Sequence, residues 1–101
     1  MRFSNRAALI TGGGRGIGAA TAELLTKAGA QVVIDDLAPE ETVQPLLDRL
    51  AQLGPRPWYL TEDISKEESA RRMVDRTLEK FGRVDILVNN AGVVAGWEKS
   101  L

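Results

Sequence analysis

A glycine-rich stretch near the amino terminus, Thr11-Gly12-Gly13-Gly14-Arg15-Gly16-Ile17-Gly18, has the residue types and spacing of a phosphate-binding turn. It follows the short apolar run 7–10 and precedes apolar residues at helical spacing, which predicts a strand, a turn and a helix. The first N–H groups of a helix have no partner within it, and the helix dipole makes them partly positive. Glycines let an anion approach them because no Cβ atom intervenes. The residues predicted to bind it are Gly12, Gly14, Arg15, Gly16, Ile17 and Gly18.

The glycine spacing limits which nucleotide-binding motif this turn can be. The strict G-x-G-x-x-G pattern fails, because Ile17 stands where a pattern starting at Gly12 would need its last glycine. The looser form Gly14-x-Gly16-x-x-Ala19 fits, since alanine is allowed at the third position. No Gly-Lys-Ser/Thr follows, which excludes a P-loop. A tight strand-to-helix turn that binds no ligand is the alternative.

Two acids, Asp35 and Asp36, end the next predicted strand, Gln31–Ile34. Asp36 lies 18 residues after Gly18, close to the ~20 residues expected for an acid that binds an adenosine ribose. Its carboxylate could accept both ribose hydroxyls and would repel a 2′-phosphate of about −1.5 to −2 charges. Strand alternation points Asp35 the opposite way, so only one of the two acids can serve. We therefore predict that Asp36 and the adjacent Leu37 bind the cofactor, the alternative being that both acids merely end a strand in water.

Arg15 bears on which dinucleotide is preferred. A basic residue in the turn could pair with the 2′-phosphate of NADP. A solvated side chain or a contact to the pyrophosphate would explain Arg15 equally well. Because Asp36 opposes a 2′-phosphate, NAD is the predicted cofactor and NADP is less favoured.

Two further polar segments end the third and fourth predicted strands, which are residues 58–61 and 85–89. The Asp63 carboxylate, followed by Ile64, could accept a hydrogen bond from an adenine amino group, or could simply favour entry into the next helix. The segment Asn89-Asn90-Ala91-Gly92 could tie neighbouring strand ends through its amide groups, or could be an ordinary turn. In a parallel sheet all these segments border one crevice, at the carboxyl ends of the strands.

Four strands alternating with three helices predict a parallel α/β sheet, with right-handed crossovers. This is a Rossmann-like arrangement, βαβαβαβ, and half of a doubly wound fold with strand order 3-2-1-4. The fourth strand would then lie at an edge with open backbone groups, which predicts a homo-oligomer or completion by a second chain. The first helix is predicted to bury Ile17, Ala20, Leu24, Leu25 and Ala28 and to end at Gly29. The second is predicted from about Thr42, with Pro45 in its first turn, and the third from a capping box at 65–68 to Gly82.

Composition excludes several classes of function. The chain has 101 residues, 44% of them hydrophobic, which predicts a single domain over 1–101. Cysteine and histidine are absent, so disulfides, zinc sites and Cys/His nucleophiles are not expected, and we predict no metal site. A net charge of −1 argues against a nucleic-acid partner. No apolar run could span a membrane, and residues 1–6 do not look like a secretory signal, so the expected location is cytoplasmic.

Taken together, Thr11-Gly12-x-x-x-Gly16-x-Gly18, Asp36, Asp63-Ile64 and Asn89-Asn90-Ala91-Gly92 resemble the short-chain dehydrogenase/reductase family, over about residues 6–94. The resemblance implies NAD(P)-dependent oxidation of an alcohol or reduction of a carbonyl substrate. It implies a pyrophosphate at residues 12–17 and an adenine edge at Asp63 and Ile64. It also implies that the ribose of the nicotinamide half lies near Asn90, Ala91 and Gly92, with Asn90 steadying the sheet.

The resemblance also shows what these residues lack. Catalysis in this family needs a serine and a Tyr-x-x-x-Lys pair, which the resemblance places further along the chain. The single tyrosine here is Tyr59, and the residue four positions later is Asp63 rather than lysine. No catalytic residue is therefore assigned, and residues 1–101 are expected to be inactive alone. The alternatives are a non-catalytic nucleotide-binding module and an assembly fragment completed by another chain.

Overall fold

The computed structural model describes residues 2–12, 14 and 16–89. A four-stranded parallel sheet lies between three helices, with strand order β3-β2-β1-β4. The Rossmann-like fold and the predicted strand order are confirmed. The elements are β1 (Ala7–Thr11), α1 (Gly16–Lys27), β2 (Gln31–Asp35), α2 (Glu40–Ala51), β3 (Trp58–Leu60), α3 (Glu67–Phe81) and β4 (Ile86–Asn89).

Strand β1 is the centre of the molecule, and all five of its residues are buried. It pairs on one side with β2, Ala7 opposite Gln31, and on the other with β4, Ala8 opposite Ile86. Side chains alternate between two apolar clusters, one on each face of the sheet. Beside α1 and α2 the cluster includes Ile10, Ile34, Leu47 and Leu50. On the face beside α3 it consists of Leu9, Val33, Leu60 and Met73.

Helix α1 presents a different face to the sheet from the one predicted. Its buried residues are Gly18, Ala22 and Thr26, whereas Ile17 is 77% and Leu24 68% exposed. The predicted stripe was therefore wrong for Ile17, Leu24 and also Ala20, which is exposed, whereas Leu25 and Ala28 are partly buried. Small residues at i, i+4 and i+8 share one side of a helix and let it lie close against the sheet. That close approach turns the larger side chains outward.

Two glycines end helices as predicted. Gly29 has φ 94° and donates its N–H to the carbonyl of Thr26, while the next residue bonds the carbonyl of Leu25. This pair of bonds is a Schellman motif, which requires the left-handed conformation that glycine adopts without strain. Gly82 ends α3 in the same conformation and donates to the carbonyl of Leu78.

The start of α2 differs from the prediction. The helix begins at Glu40 rather than about Thr42, so Pro45 lies within it and not in its first turn. A proline there cannot donate the N–H that the carbonyl of residue 41 would otherwise accept. The helix persists because one side of it buries Val43, Leu47 and Leu50 against the sheet.

The capping box predicted at the start of α3 is also wrong. The residue in the N-cap position is Lys66, and no side chain caps the helix. Ser65 instead donates both its N–H and its hydroxyl to Oδ1 of Asp63, at 3.1 and 2.7 Å. Ser65 lies one residue before the N-cap position, so its hydroxyl does not cap the helix. It bonds the carboxylate of Asp63 instead, because serine and aspartate side chains favour local hydrogen bonds in turns.

Strand β4 lies at the edge of the described sheet, and one of its side chains, Leu87, is 59% exposed. Asp85, predicted to begin the strand, precedes it and anchors it. Its carboxylate accepts two hydrogen bonds from Arg83 and one from the Ala7 N–H. Mainly because of Arg83, the pKa of Asp85 is lowered to about 2. The prediction for β3 was likewise one residue too long, since it ends at Leu60.

Candidate functional site

The glycine turn joins β1 to α1 at the carboxyl end of the sheet. Gly12 and Gly16 have φ values of 66° and 59°, a conformation that other residues rarely adopt. The Gly12 N–H donates to the carbonyl of Asp35 at 2.7 Å, which ties the turn to β2. Gly18 is buried one residue after the exposed Ile17. Gly12 and Gly16 therefore have the backbone conformations that favour glycine at these positions of the turn.

Asp36 lies directly against this turn. Its Oδ2 accepts the Gly14 N–H at 3.0 Å, and its Oδ1 accepts the Leu37 N–H at 2.8 Å. A Cβ atom on Gly14 would lie 2.7 Å from Oδ2 of Asp36 and 3.2 Å from Cγ1 of Val43. Any side chain at this position would force the Asp36 carboxylate to shift from its place beside the turn. The structure thus brings together two predicted site residues that are 22 positions apart in the sequence.

Asp35 points away from the glycine turn, as strand alternation requires. It is 2% exposed, and its Oδ1 accepts the Glu62 N–H at 2.8 Å. Burial, together with the carboxylates of Glu62, Asp36 and Asp63, raises the pKa of Asp35 to about 6, although the hydrogen bond from the Glu62 N–H acts to lower it. Asp35 therefore meets the turn through its backbone carbonyl, whereas Asp36 meets it through its carboxylate.

Tyr59 of β3 forms a hydrogen bond with the loop that follows β2. The buried tyrosine donates its hydroxyl to the carbonyl of Ala38 at 2.6 Å. Burial, together with the carboxylates of Asp36, Asp35 and Glu40, raises the pKa of Tyr59 to about 12, so it remains a neutral donor. In the same loop the Leu37 side chain is 68% exposed and offers an apolar surface beside Asp36.

The segment after β3 carries the predicted adenine-binding residues. Asp63 is partly exposed, and its two hydrogen bonds from Ser65 hold the pKa of its carboxyl below the usual value. Ile64 packs partly buried against the apolar cluster beside α3. Asp63 keeps a second carboxylate oxygen, so the bond to Ser65 does not exhaust its capacity to accept.

Glu62, in the same segment, is a charged residue that was not among the site residues predicted from the sequence. Its carboxylate forms ion pairs with Arg72 at 3.1 Å and Arg76 at 3.3 Å, and its side chain is 14% exposed. The arginines come from successive turns of α3, at i+10 and i+14. Residues 10 and 14 positions apart form no local sequence pattern from which these ion pairs could be predicted. The hydrogen bond between Tyr59 and Ala38, which are 21 residues apart, could not be predicted for the same reason.

Thr11 joins the carboxyl ends of β1 and β4. Its hydroxyl lies 3.0 Å from Oδ1 of Asn89, within hydrogen-bond distance. The bond ties the carboxyl ends of these two strands together. Arg15, Asn90, Ala91 and Gly92 were also predicted to contact a cofactor, and they lie outside the described residues.

The residues at the carboxyl end of the sheet have features that suit a dinucleotide. Backbone N–H groups and a closely approached glycine can receive phosphates, a carboxylate can accept ribose hydroxyls, and Leu37 and Asp63 offer an apolar and a polar contact to a base. Among residues 2–12, 14 and 16–89, no cluster of three acidic, histidine or cysteine ligands is arranged to hold a metal ion. Within that part of the chain, none of the helices has the length and apolarity needed to cross a bilayer.

Comparison with known proteins yields many similar sequences and structures. A family model described as short chain dehydrogenase matches residues 6–100. Tropinone reductase-like 1 from Erythroxylum coca is 44% identical over 95 residues, which are 94% of this chain and 34% of that protein. The chain thus spans about a third of the length of this curated relative.

Two solved structures resemble the sheet and its helices. A hydroxysteroid dehydrogenase from Escherichia coli has a TM-score of 0.80 and 38% identity, over 90% of this chain and 38% of that one. A metagenomic short-chain oxidoreductase in complex with NADP has a TM-score of 0.84 and 33% identity, over 92% of this chain and 42% of that one.

Proposed function

Because the chain belongs to the short-chain dehydrogenase/reductase family, we propose that it is the cofactor-binding part of an NAD-dependent oxidoreductase. The whole enzyme would transfer hydride between NAD(H) and an alcohol or carbonyl substrate. The nicotinamide ring supplies the hydride chemistry when it is bound. The residues of this chain bind and orient the dinucleotide.

The contact between Asp36 and Gly14 is the observation that carries this proposal. A carboxylate beside the glycine turn can exchange the Gly14 N–H for ribose hydroxyls. A 2′-phosphate in that place would face the Asp36 charge, and two unit charges 4 Å apart near a protein surface repel by about 4 kcal/mol. Asp36 therefore supports NAD over NADP.

NADP is the competing cofactor, because a structural relative with 33% identity was solved with it. A basic residue in the turn, Arg15, would favour NADP if its side chain reached a 2′-phosphate. The Asp36 carboxylate favours NAD, because NADP could bind only after this carboxylate had been neutralised or displaced from the 2′-phosphate.

Replacing Asp36 by alanine tests the choice of cofactor. We expect the unsubstituted chain to bind NAD more tightly than NADP. Asp36→Ala should weaken NAD binding by roughly 1–3 kcal/mol, the value of a charge-assisted hydrogen bond, and should reduce the preference. Isothermal titration calorimetry with both cofactors measures this. Asp75→Ala, which removes an exposed carboxylate from α3, is the control, and equal affinity of the unsubstituted chain for both cofactors would contradict the proposal.

We also propose that residues 1–101 alone transfer no hydride. Tyr59 is buried and donates its hydroxyl to the Ala38 carbonyl, so it is not available as a general acid. We expect no NAD reduction by the purified chain across a panel of primary and secondary alcohols, measured at 340 nm. Any NAD reduction by the purified chain would overturn this, and its loss in Tyr59→Phe would show that the tyrosine acts in catalysis.

An assembly fragment is a second candidate, favoured by the exposed apolar side chains of Ile17, Leu24 and Leu87. Leu87 lies on β4 at the edge of the described sheet, and exposed apolar side chains on an edge strand are typical of an interface. Sedimentation at several concentrations distinguishes a self-associating chain from a monomer. Association with a partner, homo-oligomerisation and cytoplasmic location all stay predictions.

A further inference from the structure

Asp35 connects three segments of the candidate site. Its side chain accepts the Glu62 N–H at 2.8 Å, and its own carbonyl accepts the Gly12 N–H at 2.7 Å. It is also paired in register with Thr11 on one side and with Leu60 on the other. The residue thus lies between the glycine turn and the segment that carries Asp63.

A carboxylate that is only 2% exposed needs a physical reason to be there. Burying a polar group costs free energy unless it is hydrogen-bonded, and a charge costs more. The surrounding charges do not reduce this cost, because Glu62, Asp36 and Asp63 are all acidic. Arg72 and Arg76 are drawn to the Glu62 carboxylate. The hydrogen bond from the Glu62 N–H is the contact that offsets part of the cost of burying Asp35.

That bond restrains the short segment 61–66 between β3 and α3. Glu62 is bonded on both sides, its N–H to Asp35 of β2 and its carboxylate to the arginines of α3. Asp63 follows directly and keeps a carboxylate oxygen for a ligand. If the Glu62 N–H lost its acceptor, the segment would be held to β2 less firmly and Asp63 would be less well placed.

We propose that Asp35 is a positioning residue for the adenine end of the crevice, acting through the Glu62 backbone to hold Asp63 in place. This rests on the proposed dinucleotide site. The acceptor oxygen of Asp35 is what matters, so an uncharged side chain with the same oxygen should serve.

Three substitutions separate the oxygen from the charge. Asp35→Ala and Asp35→Val both remove the acceptor, and valine also fills the space and favours a strand, so it serves if the alanine variant does not fold. Asp35→Asn keeps an oxygen in the same place without the charge. Asp75→Asn makes the same chemical change at an exposed site in α3 and is the matched control.

The first measurement needs no ligand. Hydrogen exchange of the Glu62 amide, followed by NMR, should become at least tenfold faster in the alanine or valine variant. It should change less than threefold in Asp35→Asn and in the control. Unchanged exchange in a folded variant that lacks the acceptor would overturn the inference, and so would equal acceleration in Asp35→Asn.

The second measurement compares the two halves of the dinucleotide. Removal of the acceptor should weaken binding of AMP about tenfold and leave nicotinamide mononucleotide within a factor of two, whereas Asp35→Asn should restore AMP binding. Equal losses for both ligands would indicate a general structural effect and overturn the positioning role. If the unsubstituted chain binds neither AMP nor NAD, the proposed function fails, and the exchange result alone then decides whether Asp35 holds the segment.

Discussion

Gly54→Ala should lower the free energy of unfolding by about 3 kcal/mol, at the upper end of the usual cost of overpacking. A Cβ atom on Gly54 would lie 2.2 Å from the carbonyl oxygen of Thr26 and 3.1 Å from its carbonyl carbon. Those are backbone atoms of α1, and Thr26 is fully buried. The clash therefore cannot be relieved by the rotation of a side chain. The loop between α2 and β3 would have to move off the helix. Urea unfolding followed by far-UV circular dichroism gives the change in stability.

Gly82→Ala is the matched control for this substitution. A Cβ atom there would meet nothing within 4 Å, but φ is +77°. Its expected cost is that of the left-handed conformation alone, about 1–2 kcal/mol. A smaller loss for Gly54→Ala than for Gly82→Ala would show that the loop yields easily and that the close contact with Thr26 is not a constraint.

The buried carboxylate of Asp35 predicts a second large effect, on the pH dependence of stability. Its pKa is raised from 3.8 to about 6 in the folded protein. An acid with a raised folded pKa stabilises the fold fully below its unfolded pKa, and this contribution is lost as the pH rises through the folded pKa. Allowing for solvent screening, a shift of this size corresponds to roughly 1–3 kcal/mol. The loss should therefore fall between about pH 4 and 7.

Asp35→Asn removes this titration and keeps the acceptor oxygen. The variant and the unsubstituted chain should be similarly stable at pH 4, and the variant should become the more stable by up to about 3 kcal/mol at pH 7.5. Urea unfolding at pH 4, 5, 6 and 7.5 measures the difference, with Asp75→Asn as a flat reference. A difference between Asp35→Asn and the unsubstituted chain that does not change with pH would show that the carboxylate titrates normally.

The order of the strands could be predicted because two kinds of signal agreed. Glycines at defined spacing fixed the strand–turn–helix unit, and β-branched runs alternating with helical periodicity fixed a parallel sheet. The buried face of α1 could not be predicted in the same way. Ile17 and Leu24 form a different helical stripe, and the small residues Gly18, Ala22 and Thr26 let the helix lie close to the sheet on theirs.

The candidate site was predictable where one residue follows another at a fixed distance along a βαβ unit. Asp36 is such a residue, since strand β2 carries it back to the glycine turn. Contacts between distant elements gave no such signal. Tyr59 reaches the carbonyl of Ala38, and Glu62 reaches two arginines on α3, only because the fold brings them together. Ser65 was misassigned because a bond to Asp63 and a helix cap are alternatives of similar free energy.

The central position of β1 has a consequence for the order of folding. Ala7 bonds Asp85 across 78 residues, whereas its pairing partner in β2 is Gln31. Closing the longer loop costs roughly 1 kcal/mol more in chain entropy, so β4 should join the sheet after β2. During synthesis at about 5–20 residues per second, β1 waits roughly 3–10 s between the emergence of the two strands. For that interval the central strand of the sheet has one open edge, and a neighbouring nascent chain could pair with it.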